Sequence, residues 1–458
     1  AAMTETHTGL TRRQFGFSAL AGVASMSAIG RVRAAGAVAP SDQITVGVVG
    51  LGSRGFNLID DFLGEESCRI IALCDVDELH YRDLVWGKGR GFGRIPAQQH
   101  VSQAYARVKS GTPAEGIQVY SDFRELISQA SPDVVVVATP DHWHAVCTME
   151  SLRAGKDVYC EKPVTHLFAE GRAIVDAVAS QKAVFQTGSQ QRSDPLFRKV
   201  VNLVRNGVLG DVHTVEVGLP PGYEKPMGDT AILTGRDGLD YDFWCGPAPK
   251  LPLMRARHHR WWRGHRAFGG GVLMDWIGHH NDIAHWAIGA ERSGPTSIEV
   301  TEWSLPQTDV YNTPHHYTIA CQYAGGIQST ISSRNQEGLK IMGTDGWIFV
   351  RRGQVKASNS KWLEDAFHPG TFRVPSVKSH VADFLECVRT RQECIAPAEI
   401  AHRSITPGHL GYVAAELGRK LQWNAATQVV SDDAAANQLL NQMAYRQPWT
   451  LSGEQDSA

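Results

Sequence analysis

The chain has 458 residues, of which 42% are hydrophobic and 20% charged, with a formal net charge of −2. That length exceeds what one hydrophobic core usually serves, so two domains are expected in an ordinary globular composition. With so little net charge and no run of like charges, no field exists to draw nucleic acid or an anionic membrane, and neither is expected as a partner.

At the N-terminus, Ala1 and Ala2 before Met3 read as a cloning remnant. Thr11-Arg12-Arg13-Gln14-Phe15-Gly16-Phe17 precedes a weakly apolar run, Ser18 to Ile29, and the small residues Ala35-Gly36-Ala37. A charged region, a short apolar stretch and an A-x-A site describe a signal peptide, and the paired arginines mark the twin-arginine type. The run is too short and too rich in Gly, Ala and Ser to span a membrane. The expectation is export to the periplasm; the alternative is a basic N-terminus on a cytosolic enzyme. Eight cysteines (68, 74, 147, 160, 245, 321, 387, 394) show neither C-x-x-C nor zinc spacing and read as buried free thiols.

Ser41 to Gly50 predicts a strand whose near-continuous apolar run (Ile44, Val46, Val48, Val49) suits a parallel sheet covered on both faces. A helix over Phe56–Leu63 and a strand over Arg69–Asp75 follow. The Gly- and Gln-rich stretch from Trp86 to Glu115 reads as a surface excursion. Asp122 is placed to cap a helix, with Glu125 at the capping-box position. Val134–Ala138 is a strand, a helix runs through Leu152, and Asp157–Cys160 is another strand. This β-α-β alternation predicts a Rossmann-type doubly wound parallel sheet. Farther on come a helix over Ala169–Ser180 and strands over Ala183–Thr187, Val212–Gly218, Ser297–Trp303, Tyr317–Tyr323 and Gly326–Ser332. Helices return over Ser376–Arg389 and Thr406–Gly418. Many strands without intervening helices predict an α+β domain with a large, mostly antiparallel open sheet. The stretch Pro220–Arg266, rich in Pro, Gly and Trp, reads as a long functional loop. The expected division is a leader and linker over 1–40, a dinucleotide-binding domain over 41–165, a substrate and oligomerisation domain over 166–425, and a tail over 426–458.

Gly50-Leu51-Gly52-Ser53-Arg54-Gly55 lies between a strand and a helix, where glycines allow a tight turn and present helix amides to a pyrophosphate. Asp75 ends the second strand about twenty residues on, where a carboxylate binds ribose hydroxyls and repels a 2′-phosphate. NAD is therefore favoured over NADP, although Arg54 keeps NADP open. Two further strand ends carry polar clusters, Thr139-Pro140-Asp141-His142-Trp143-His144 and Glu161-Lys162-Pro163. Ligands of open α/β sheets gather at strand carboxyl ends. Thr139, Pro140, His142, Trp143, His144, Glu161 and Lys162 are accordingly expected at the cofactor, with Gln190 after a later strand. Lys162 can polarise a hydroxyl or carbonyl. In Gly269-Gly270-Gly271-Val272-Leu273-Met274-Asp275-Trp276-Ile277-Gly278-His279-His280-Asn281-Asp282, helical spacing puts Asp275, His279 and Asp282 on one face. His279 is a natural proton acceptor for an alcohol, and Asp275 can orient it. Histidine pairs at 142/144, 279/280 and 315/316 come without H-E-x-x-H, and no catalytic metal is expected.

The glycine turn, T-P-x-x-x-H, E-K-P and the G-G-G…D-x-x-x-H-x-x-D helix, in this order, resemble the Gfo/Idh/MocA (glucose–fructose oxidoreductase/inositol dehydrogenase) family. The match looks collinear from about Gln43 to Trp423 and includes Gly343-Thr344-Asp345-Gly346 and Ala401-His402-Arg403-Ser404. The resemblance implies that Lys162 is the active-site lysine and His279 the acid/base, with Asp275 beside it. Ile277 stands where members often carry glycine. It implies reversible hydride transfer on a sugar or polyol, and a homo-oligomer, dimer or tetramer. Arg192, Tyr223, Trp261, Trp262 and Asp282 are the substrate candidates, since donors mixed with aromatic faces suit a sugar; packing is the competing reading of the tryptophans. Three functions stay open. One is a retained-cofactor enzyme, either hydrolysing glycosides by oxidation, elimination, hydration and reduction or passing hydride between sugars. The second is a plain NAD(P)-dependent sugar dehydrogenase, and the third a non-catalytic sugar or nucleotide sensor.

Overall fold

The computed structural model describes residues 42–81, 88–107 and 116–452. The expected leader lies outside the described residues. Six strands, β1 (Ile44–Val49), β2 (Cys68–Cys74), β3 (Gln118–Tyr120), β4 (Val134–Val137), β5 (Asp157–Cys160) and β6 (Phe185–Thr187), form a parallel sheet in the order β3-β2-β1-β4-β5-β6. The four valines of β4 are all fully buried, as a central strand covered on both faces requires. Strand order reverses between β1 and β4, and the crevice outside the carboxyl ends at such a reversal is where doubly wound sheets take ligands.

Helix α1 (Ser53–Leu63) leaves β1 through the glycine turn and buries Phe56, Leu58, Ile59 and Phe62 against the sheet. Gly50 has φ +91°, and a Cβ there would lie 2.6 Å from the Ala138 carbonyl. A Cβ on Gly55 would collide with the Gly50 carbonyl oxygen, so α1 can start this close to β1 only through glycine. The predicted surface excursion contains a helix, α2 (Arg94–Arg107), that sequence periodicity misses because only Ala97 and Val101 face the core. Asp122 does cap a short helix, accepting the Arg124 N–H at 2.9 Å.

Beyond β6, nine strands form a second sheet. They are β7 (Val212–Gly218), β8 (Ser297–Ser304), β9 (His316–Gln322), β10 (Gln328–Ser332), β11 (Gly338–Gly343), β12 (Gly346–Arg351), β13 (Gln354–Ala357), β14 (Leu421–Asn424) and β15 (Val429–Val430). Their order is β13-β12-β11-β7-β10-β9-β8-β14-β15, and every pairing is antiparallel except β7 with β10. The fold is thus a Rossmann-type parallel sheet joined to a large, mostly antiparallel one.

Helices α3 (Asp141–Arg153) and α4 (Phe168–Gln181) belong to the first sheet's connections. Helix α5 (Pro195–Arg205) is a miss of sequence reading despite its signals, an Asp194 cap and proline in the first turn. Helices α6 (Gly271–Ile288) and α8 (Ala398–Leu417) pack on each other and cover the second sheet, while α7 (His380–Thr390) joins the first sheet's core. Helix α8 begins before the predicted Thr406 because Pro407, which reads as a helix start, lies inside it. Residues after β14, expected as a tail, form β15 and α9 (Ala434–Asn441) and pack onto the body. Tyr445 Oη donates to Glu170 at 2.6 Å, and the Trp449 ring lies 4.7 Å from that of Trp143. All eight cysteines are buried free thiols. Among the described residues no helix is long and apolar enough to cross a membrane.

Candidate active site

A cavity of about 650 Å³ opens where β1, β2, β4 and β5 end. One wall is the glycine turn, with Gly50, Gly52, Ser53 and Arg54; Gly55 packs beneath the turn instead. A Cβ on Gly52 would meet nothing within 4 Å, so this backbone is open to a group the size of a phosphate. Asp75 closes the end of β2. Its carboxylate accepts the N–H groups of Leu51 at 2.6 Å and Asp77 at 2.9 Å, and burial pushes it up to about 6. Thr139 and Pro140 line the cavity from the end of β4, and the Thr139 hydroxyl is buried without a partner.

Arg54 Nε lies 2.7 Å from Glu161. Burial acts to raise the Glu161 carboxyl, but Arg54 and Lys162 outweigh it and hold the group below its ordinary value. Gln190 donates to the Tyr159 hydroxyl at 2.9 Å and extends this wall. With Asp75 at the ribose position, where a carboxylate repels a 2′-phosphate, the groove fits NAD. The unpartnered Thr139 hydroxyl and Arg54 Nη2 are polar atoms such a ligand would satisfy.

Lys162, which follows β5, lines one cavity with Asp275 and His279 of α6. Lys162 Nζ donates to Asp275 Oδ1 at 2.6 Å and to the Asp275 carbonyl at 2.9 Å, and Arg263 Nε lies 3.2 Å from the same carboxylate oxygen. Burial favours the neutral Asp275 acid, but Arg263 and Lys162 prevail and keep it ionised, well below the usual range. His279 is 7% exposed and its Nδ1 has no partner in the protein. Burial, then Lys162 and Arg352, hold its pKa far down and keep the ring neutral.

Trp143 and His144 reach the cavity, held by Trp143 Nε1 donating to the Trp244 carbonyl at 3.0 Å and by His144 Nδ1 2.7 Å from the Pro163 carbonyl. His142 does not; its ring sits between the Phe268 and Trp244 carbonyls and ties α3 to the Pro220–Arg266 loop. Trp262 lines the cavity beneath the Arg263 guanidinium, 4.1 Å from its ring. Trp261 and Tyr223 pack on each other, 5.9 Å between centroids, off the cavity wall, so the packing reading holds for them.

Arg192 and Asp282 are corrected as substrate contacts. Arg192 Nε meets Asp282 Oδ2 at 2.7 Å and Nη2 meets Oδ1 at 2.9 Å, with Glu291 at 3.1 Å and the Trp286 ring at 4.6 Å. Both side chains are almost wholly buried and absent from the cavity. Asp282 shares a helix face with His279 but sits roughly 10 Å farther along the axis than Asp275, past the cavity.

Sequence reading also passed over two residues. Asp141, 1% exposed, lines the cavity with both carboxyl oxygens unpartnered. Burial, opposed by Arg263 and Lys162, pushes it up to about 7. It stands inside the T-P-D-H-W-H cluster, where a carboxylate at a helix start looks like an ordinary cap. Arg263 was hidden beside two tryptophans. Asp77, His80 and His259 bring their ligand atoms within 4.8 Å of one another, which no sequence spacing announces. The cavity thus joins the glycine turn and Asp75 to an amine, a neutral imidazole and an unpartnered carboxyl group.

Residues 44–189 match the family model described as oxidoreductase family, NAD-binding Rossmann fold, and residues 194–451 match that of the family's C-terminal alpha/beta domain. Uncharacterized oxidoreductase YrbE of Bacillus subtilis (strain 168) is 26% identical over 264 residues, 56% of this chain and 64% of that protein. Glycosyl hydrolase family 109 protein 2 of Shewanella sp. (strain ANA-3) is 28% identical over 180 residues, 39% of this chain and 35% of that protein. The chain therefore spans less than two thirds of either relative. Among solved structures, aldose-aldose oxidoreductase from Caulobacter crescentus, complexed with glycerol, superimposes with a TM-score of 0.57 at 19% identity, covering 83% of this chain and 99% of that one. Family models covering both sheets, over a groove built for a dinucleotide, place this chain in the Gfo/Idh/MocA oxidoreductase family as an NAD-binding enzyme.

Proposed function

We propose that this oxidoreductase acts on a sugar or glycoside with an NAD that stays bound and returns to its starting oxidation state each cycle. The observation that carries the reading is the meeting of Lys162, Asp275 and His279 in the cavity that also holds the glycine turn. Bound NAD supplies a hydride acceptor and, once reduced, a hydride donor. His279, neutral at working pH, takes the proton of the carbinol being oxidised. Lys162, fixed by Asp275, donates to the same oxygen and stabilises the charge that develops there. Arg263 holds the other side of Asp275, and Asp141 stands at the cavity wall with two buried oxygens that no protein group satisfies, available to substrate hydroxyls that reach them. Trp262, buried beneath Arg263, backs the guanidinium that holds Asp275.

Two redox-neutral cycles satisfy this site, glycoside cleavage by elimination and hydride transfer between two sugars. A relative named glycosyl hydrolase family 109 and a fold neighbour named aldose-aldose oxidoreductase support the pair. The paired arginines near the N-terminus support export to the periplasm, where no free NAD pool regenerates the coenzyme, and this favours a closed cycle over a plain dehydrogenase. A homo-oligomer is proposed on the family resemblance alone. The deciding experiment is incubation with aryl glycosides in deuterated water. Release of the leaving group with deuterium at C2 of the product supports elimination. Reduction of a second sugar without isotope uptake supports the sugar–sugar cycle, and accumulating free NADH with neither refutes the proposal.

A further inference from the structure

The cavity is roofed at its Asp75 end by chain from the loop between β7 and α6. Residues 76–80, which follow β2, are gripped there by residues 236–240 and 259. Glu78 N–H donates to the Gly238 carbonyl at 2.8 Å, Asp240 N–H donates to the Val76 carbonyl at 3.2 Å, and Asp77 bridges Leu239. Arg236 pairs with the Asp77 carboxylate and donates from Nη1 to the Leu79 carbonyl at 3.0 Å. His259 Nε2 lies 2.8 Å from Asp77 Oδ2, and the His259 ring stacks on that of His80 at 3.7 Å with an interplanar angle of 8°. Asp77 has no exposed surface at all. A carboxylate so buried is tolerable only while its partners stay in place, so the contact holds or fails as a unit. Arg236 already neutralises Asp77 at Oδ2, so the Asp77–His80–His259 group is an ion pair rather than a cation site, with His259 Nε2 in contact but making no hydrogen bond.

His80, Tyr81, Arg255, His259 and Arg260 line the same cavity as Gly50 and Asp75. The gripped segments therefore form part of the wall around a bound dinucleotide. From this we propose that Asp77, Arg236 and His259 act as a clasp that must open before the coenzyme can leave, making them positioning residues that set its residence time. The proposal rests on the retained-NAD reading and gives it a structural cause. A contact that must break on the way out must break on the way in, so the clasp slows both exchange steps and sets the residence time through the exit rate.

The test is release of NADH from the preloaded full-length protein, followed by loss of bound-NADH fluorescence on mixing with excess NAD. Arg236→Ala is expected to release NADH about 10- to 100-fold faster than wild type and to take it up faster as well, since the same contact opens in both directions. Arg236→Lys, which keeps the charge but not the fork, should fall between them. Should Arg236→Ala fail to fold, the isosteric Asp77→Asn carries the same expectation. Equal release rates in wild type and a folded variant overturn the clasp while leaving NAD binding intact. Wild-type protein that binds no NADH overturns the cofactor reading itself.

Discussion

Lys162→Met separates catalysis from architecture because the structure predicts different magnitudes for the two. The methionine keeps the aliphatic stem and deletes the ammonium that sits 2.6 Å from Asp275. Asp275 is not orphaned, since Arg263 remains 3.2 Å away. The cost to folding is therefore that of the ammonium's two hydrogen bonds, to the Asp275 carboxylate and carbonyl, about 1.5–3 kcal/mol for each, with no unpaired buried charge left behind. In turnover, the same change removes the donor proposed to meet the developing alkoxide, worth about 10²–10³ in rate. Thermal unfolding and single-turnover hydride transfer at 340 nm, on one preparation loaded with NAD, give both numbers. A folded variant with wild-type transfer would refute the role of Lys162. A rate loss that tracked the fraction unfolded would make it a structural residue only.

His279→Ala should lower turnover by about 10²–10⁴ without unfolding the protein, measured by the same single-turnover assay. Arg192→Met leaves Asp282 buried without its bidentate partner, so urea denaturation should show a loss of about 3–5 kcal/mol, while the KM of the folded fraction stays at the wild-type value. Asp141 predicts a pH effect of the less usual sign. Its folded pKa of about 7 lies above an unfolded value of about 3.9, so the folded state holds the extra proton and stability falls as pH rises through that window. Asp141→Asn should remove this loss: its melting temperature should drop less than the wild type's between pH 5 and pH 8. Parallel melting profiles would show that Asp141 ionises normally.

The parallel sheet was legible because valine runs such as Val134–Val137 have no other use, and the glycine turn because its backbone has no room for side chains. The placement of Lys162 also followed from a general rule, that strand carboxyl ends face the ligand. What escaped depended on contacts between distant segments. Nothing local to Arg192 or Asp282 says that they neutralise each other across ninety residues of chain. His142 and His144 look equivalent in sequence, yet only the latter reaches the cavity, because the loop carbonyls of Trp244 and Phe268 capture the former. Helix α2 was hidden by a polar surface with two buried positions, and Asp141 by its resemblance to a cap.

In the proposed cycle the coenzyme stays bound and is restored at every turn. The most direct test is turnover by gel-filtered protein with no nicotinamide added, while bound NADH is monitored at 340 nm. Many turnovers per site are expected, with a transient rise in bound NADH that returns to the starting level when substrate is exhausted. Activity that is absent without added NAD and then yields one free NADH per product would contradict this cycle.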